Sequence, residues 1–107
     1  MQEARMEKRS ARRVPYPCEV ECYNVGSGVN PLNPRISDLS AKGAFIDSIN
    51  PLPVGSVLKL KFHTPSLVID VRAEVVQAMP QFGMGVRFLD LTPQQQVAID
   101  EVVSGSS

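Results

Sequence analysis

The sequence has no tryptophan, a single histidine (His63) and two cysteines among 107 residues. A structural zinc ion takes four ligands, chiefly Cys and His, so no metal centre is expected. A serine–histidine relay would have to draw on His63, which shares a strand face with lysines and has no identifiable orienting acid. No enzymatic activity is therefore expected. Aromatic residues make up 6%, whereas modules that hold single-stranded nucleic acid interleave aromatics with a basic groove. A nucleic-acid polymer is accordingly not an expected partner. Apolar runs last only a few residues, against the roughly 20 that cross a bilayer, and Met1-Gln2-Glu3-Ala4-Arg5 shows no apolar signal segment. No membrane insertion is expected, and cytoplasmic residence is the default.

The two cysteines do not supply a redox pair either. Cys18 and Cys22 lie in Pro17-Cys18-Glu19-Val20-Glu21-Cys22-Tyr23, which alternates small apolar with charged residues as a half-buried strand does. Four residues along a strand span roughly 13 Å, beyond the Cα separation of about 4.4–6.8 Å that a disulfide tolerates. Both thiols are expected to pack in the core beside Val20.

What is present is a globular composition with 43% hydrophobic and 21% charged residues, enough for one domain with a core of its own. The formal net charge is zero, yet the charge is unevenly spread. Arg5, Lys8, Arg9, Arg12 and Arg13 fall in the first thirteen residues, opposed only by Glu3 and Glu7. The rest of the chain is mildly acidic. A basic arm, residues 1–13, thus precedes the folded body, and its low apolar content predicts mobility in the free protein.

Short strands are predicted at 18–23, 35–40, 44–49, 56–63, 67–79 and 84–89. Residues 24–34 form a loop by composition, and Gly- and Pro-bearing turns punctuate the rest. In 56–63, Leu58, Leu60 and Phe62 alternate with Lys59, Lys61 and His63, giving one wet side. The long strand 67–79 is expected to bend or bulge. Thr92-Pro93-Gln94-Gln95 carries a helix start: a hydroxyl N-cap, proline at the first helical position and glutamine at the capping-box position. Ala98, Ile99, Val102 and Val103 then form an apolar stripe. The pattern is all-β, barrel or sandwich, with one C-terminal helix lying across an open end or side and a frayed tail at 104–107.

Two motifs stand far apart in this frame. Arg9-Ser10-Ala11-Arg12-Arg13 sets two arginines four residues apart ahead of the first strand. Asp38-Leu39-Ser40-Ala41-Lys42-Gly43 sits where a strand turns back. Together they resemble the RxxxR and [DN]xSxxG signatures of the PilZ domain family. Val14-Pro15, Gly43-Ala44-Phe45-Ile46 and Gly85-Val86-Arg87-Phe88-Leu89-Asp90 extend the resemblance, which runs from about Lys8 to Val103. It implies a small six- to seven-stranded antiparallel β-barrel of split-barrel type spanning residues 14–103, with the C-terminal helix. It also implies a bacterial second-messenger receptor whose ligand is cyclic di-GMP, with no further cofactor.

The chemistry of that ligand suits these residues. A guanine edge offers O6 and N7 as adjacent acceptors for a guanidinium fork, and an arginine plane also stacks on a purine. Arg9 and Arg13 are the leading ligand-binding candidates, with Arg12 and Lys8 adding charge. Asp38 can accept from guanine N1–H and N2–H₂ donors, or hold an arginine in its binding rotamer. Ser40 can bond a base edge, a phosphate or the backbone of its own turn. Gly43 supplies a position without Cβ, either for positive φ or for close ligand approach. Lys42 and Arg87 read as solvated or framing charges.

Carried over from the family, the arm would fold over the ligand against the outer face of the barrel, and the altered surface would be read by an unidentified protein partner. Two positions depart from the family pattern. Many members have tryptophan or another bulky residue in the stretch occupied here by Gln77–Met79, and many have arginine where Lys8 stands. The alternative reading is a PilZ-like module that binds no nucleotide and works through protein contacts in pili, motility or secretion.

Overall fold

In the computed structural model, residues 12–26 and 28–105 are described. Six strands, β1 (Arg13–Asn24), β2 (Arg35–Ser40), β3 (Gly43–Asp47), β4 (Val57–His63), β5 (Val68–Met79) and β6 (Gly83–Leu89), precede a single helix, α1 (Pro93–Gly105). The strands close into a barrel in the order β1-β2-β3-β6-β5-β4, and every neighbouring pair is antiparallel. This settles the choice between barrel and sandwich that the strand pattern leaves open.

Alternation fills the interior. Leu58, Leu60 and Phe62 of β4 are buried while Lys59, Lys61 and His63 face solvent. Ile69, Val71, Ala73 and Val75 of β5 and Met84, Val86 and Phe88 of β6 complete the facing wall. The Phe62 and Phe88 rings stack with centroids 6.1 Å apart. Each such large side chain contributes about 1.5–3 kcal/mol by leaving water. The expected irregularity of β5 lies between Val75 and Gln77, where its pairing with β6 shifts register.

The first strand starts five residues earlier than its prolines suggest. β1 begins at Arg13 and passes through Pro15 and Pro17, with a register shift between Pro15 and Cys18. The reason is that β1 divides its pairing: Arg13 to Glu19 pair with β2, and Val20 to Asn24 pair with β4. Both prolines fall in the half bonded to β2, where one side of the strand needs no ladder donor. A side chain bridges the resulting gap, since the Tyr16 hydroxyl donates to the carbonyl of His63 at 2.9 Å. Even-numbered residues of β1 still face inward. Val14, Val20 and Cys22 are buried, whereas Cys18, expected in the core, is only half-buried beside this gap and packs against the core from there.

The helix closes the end of the barrel where β2 turns into β3. The Gln95 N–H donates to Thr92 Oγ1 at 3.1 Å and the Thr92 N–H donates to Gln95 Oε1 at 3.0 Å, the reciprocal box predicted for its start. Ala98, Ile99, Val102 and Val103 are the residues it buries. No helix among the described residues is long and apolar enough to cross a membrane.

Burial pushes the Cys22 thiol up from 9.0 to about 12 and raises Cys18 as well, so neither is a reactive thiolate at neutral pH. A folded-state pKa above the unfolded one means that the unfolded chain loses its proton first. Stability is then complete below pH 9 and declines as pH rises toward 12. Denaturant titrations across this range should show an added loss approaching about 1.4 kcal/mol per pH unit that Cys22→Ala lacks. Equal slopes in both proteins would contradict the assignment.

Candidate functional site

The β2–β3 hairpin brings the two sequence motifs together. Arg13 opens β1 opposite Ser40, and Pro15 lies opposite Asp38. The Arg13 Nη1 donates to Asp38 Oδ1 at 3.3 Å, with the side chains half and one-third exposed. Of the two roles open to Asp38, this geometry is that of holding an arginine. Arg12 precedes the strand and is exposed. Lys8 and Arg9 lie outside the described residues.

Ser40 is spent on its own turn. Its hydroxyl accepts from the Gly43 N–H and donates to the Gly43 carbonyl, both at 3.1 Å, which closes the chain around Ala41 and Lys42. Gly43 does not have a positive φ. A Cβ at this position would lie 2.1 Å from the Val86 carbonyl oxygen and 3.3 Å from Arg87 Cα, so the glycine is required by the approach of β6 itself. The turn is fixed from two further sides. The Phe88 N–H donates to the Lys42 carbonyl at 2.8 Å, and Gln96 Nε2 on α1 donates to the Ala41 carbonyl at 2.9 Å.

The register sets out two rows on the barrel's outer face. One runs Arg13, Ser40, Gly43, Arg87, Glu74 across β1, β2, β3, β6 and β5. The other runs Pro15, Asp38, Phe45, Gly85, Gln77 across the same strands. Gln77 lies against Gly85, its Cβ 3.6 Å from where a Cβ would stand there. The start of the Gln77–Met79 stretch is therefore in the second row. With strands about 4.8 Å apart, the backbones of Arg13 and Arg87 are about 14 Å apart, and small residues fill the interval.

Between them is a shallow depression of about 190 Å³, lined by Arg13, Ser40, Lys42, Gly43, Ala44, Val86 and Arg87. Its lining includes three cations and no acid. Larger hollows occur elsewhere with acid in their linings: one of about 400 Å³ mixes Glu19 and Glu21 with Arg35, Lys61 and His63, and one of about 500 Å³ is mostly apolar and includes Glu101. Arg87 donates to Glu74 Oε1 at 2.6 Å, and Lys42 has no ion-pair partner among the described residues. Lys42 and Arg87 are the cations that sequence reading set aside as framing charges. The Gly85-Val86-Arg87 run marked β6, but only the adjacency of β3 and β6 puts Arg87 beside Gly43.

Residues 7–105 match the sequence model of the PilZ domain. The chain belongs to the PilZ domain family. No curated protein sequence matches it. Among solved structures it is similar to the PilZ domain of CeSA from a cellulose synthesizing bacterium, at 19% identity and TM-score 0.64, covering 88% of this chain and 96% of that one. It is also similar to the PilZ domain with c-di-GMP of YcgR from Escherichia coli, at 13% identity and TM-score 0.67, covering 89% of this chain and 88% of that one. Both comparisons give the same fold: an all-β, six-stranded closed barrel with one C-terminal helix. PilZ domains are cyclic di-GMP-binding receptor and adaptor modules rather than enzymes.

Because the space at Gly43 is taken by β6 backbone, Gly43→Ala is expected to destabilise the barrel whether or not ligand is present. The cost should be about 1–3 kcal/mol, as for overpacking, read as a lower urea midpoint without added nucleotide. An unchanged midpoint would show that β6 can yield.

Proposed function

We propose that this PilZ domain is a cyclic di-GMP receptor that captures the nucleotide between its N-terminal arginines and the Asp38–Gly43 strand-turn. The observation that carries the reading is the depression between Arg13 and Arg87, where three cations and no acid surround small residues. A dianionic ligand with two guanine edges meets positive charge there, and its edges meet guanidinium forks.

The depression of about 190 Å³ falls below the ~300–1,000 Å³ typical of sites that enclose a ligand. A second wall is needed, and in this proposal residues 1–12 supply it, with Arg9 as the main contact and Lys8 and Arg12 adding charge. Asp38 has two uses in sequence. It holds Arg13 in the free protein, at the 3.3 Å contact already described, and it can turn to guanine N–H donors once Arg13 engages the ligand. An exposed pair of this kind is worth about 0–1 kcal/mol, so exchanging partners costs little. Ser40 and Gly43 shape the floor. The arm folded over the ligand presents a new surface, and a protein partner reads it.

Calorimetric titration with cyclic di-GMP tests the proposal. The unmodified protein should bind, and Arg9→Ala and Arg13→Ala should each weaken binding about 5–150-fold, the loss of one bidentate contact of about 1–3 kcal/mol. Undiminished binding in both variants would remove the proposed site. An NMR spectrum unshifted at millimolar cyclic di-GMP would instead favour a PilZ module that works by protein contact alone.

A further inference from the structure

We propose that Arg87 is a further ligand-binding residue of this site and contacts a phosphate oxygen of the bound nucleotide; the inference rests on the receptor reading above. Arg87 stands directly across from Gly43, so no side chain rises between it and the Ser40–Gly43 turn. It lines the same depression as Arg13 and closes the side that Arg13 leaves open. Its side chain is 57% exposed, and one donor, Nη2, is engaged by Glu74 at 2.6 Å. A guanidinium carries five N–H donors, so most of its hydrogen-bonding capacity remains available while Glu74 fixes its direction.

The opposing cations divide the work by position. Arg13 is at the start of β1, beside the segment that would form the second wall, and so suits a base edge held between wall and floor. Arg87 is in the middle of a β-ladder, paired on both sides by β3 and β5, and its guanidinium is tethered to a neighbouring strand. A fixed cation over a floor of small residues suits an oxyanion, whose geometry a planar fork matches. Arg72 provides an internal comparison. It is also an exposed strand arginine, and it pairs with Asp90, but it does not line the depression.

Calorimetry with cyclic di-GMP on four proteins decides the matter: unmodified, Arg87→Gln, Arg72→Gln, and the double variant Arg87→Gln/Glu74→Gln. The expected result is that Arg87→Gln weakens binding about tenfold or more, in line with a lost charge-assisted bond, while Arg72→Gln changes it less than twofold. The double variant should remain weak, because the bared Glu74 carboxylate is then not the cause. Three results overturn the inference while leaving the receptor reading intact: near-normal affinity in Arg87→Gln, equal losses in Arg87→Gln and Arg72→Gln, or recovery of normal affinity in the double variant. Absence of binding by the unmodified protein would overturn the receptor reading itself, and this inference with it. Should Arg87→Gln fail to fold by circular dichroism, Arg87→Lys carries the test, since it keeps the charge and loses the planar fork. It should weaken binding about threefold or more while Arg72→Lys changes it less than about twofold, and near-normal affinity in Arg87→Lys overturns the assignment.

Discussion

Closure of the barrel rests on β1 changing partner part-way, bonded to β2 over its first half and to β4 over its second. Closing a sheet demands tilt and stagger, so the ends of a strand cannot all face the same neighbours. The consequence here is a length of β1, from Arg13 to Glu19, with one side outside the ladder. That stretch tolerates Pro15 and Pro17, needs Tyr16 to reach the His63 carbonyl, and leaves Cys18 only half-buried. It also places Arg13 at the mouth of the gap, next to the residues that precede the strand. A device that closes the fold thereby sets the position of Arg13, a binding residue in the proposed receptor.

Local chemistry made much of this readable from sequence. Alternation at Leu58, Leu60 and Phe62 is a property of neighbouring residues, as are the Thr92–Gln95 box and the stripe from Ala98 to Val103, and the folded chain reproduces all three. The beginning of β1 was less legible. Proline argues against a strand only where both sides of the backbone must bond, and the half-paired state of β1 is a fact about the barrel. Arg87 was obscured for a related reason. Its proposed role comes from standing opposite Gly43, and the two are 44 positions apart in the chain. Charge and spacing along the chain cannot reveal such a neighbour. Of the motif residues, Arg13, Ser40 and Gly43 line one side of the depression, because those motifs record the neighbour relation indirectly.

Gly43 shows how a motif can join two demands. Its missing Cβ admits the Val86 carbonyl, a condition of β3–β6 pairing that exists without any ligand. The same absence keeps the floor between Arg13 and Arg87 low. Ser40 is similar: both of its hydrogen bonds go to Gly43 and shape the turn. These two residues are thus structural in the free protein, and in the proposed receptor their contribution runs through the shape they impose. Arg13 and Arg87 differ, since each rests on a carboxylate that is only partly shielded from water, in a pair worth about 0–1 kcal/mol.

The floor of the proposed site is therefore built before any ligand arrives. Its turn is tied to β6 through the Lys42 carbonyl and to α1 through the Ala41 carbonyl, and its charges are aimed by Asp38 and Glu74. Preorganised groups lose little entropy on binding. In the proposed receptor, the entropic cost of capture falls mainly on the opposing wall, the segment that carries Arg9. Affinity then depends on how readily that segment docks, and substitutions there can tune sensitivity to the nucleotide without disturbing the barrel. The division suits the signalling module proposed here: the part that must persist is fixed by the sheet, and the arm is the part assigned to report the ligand.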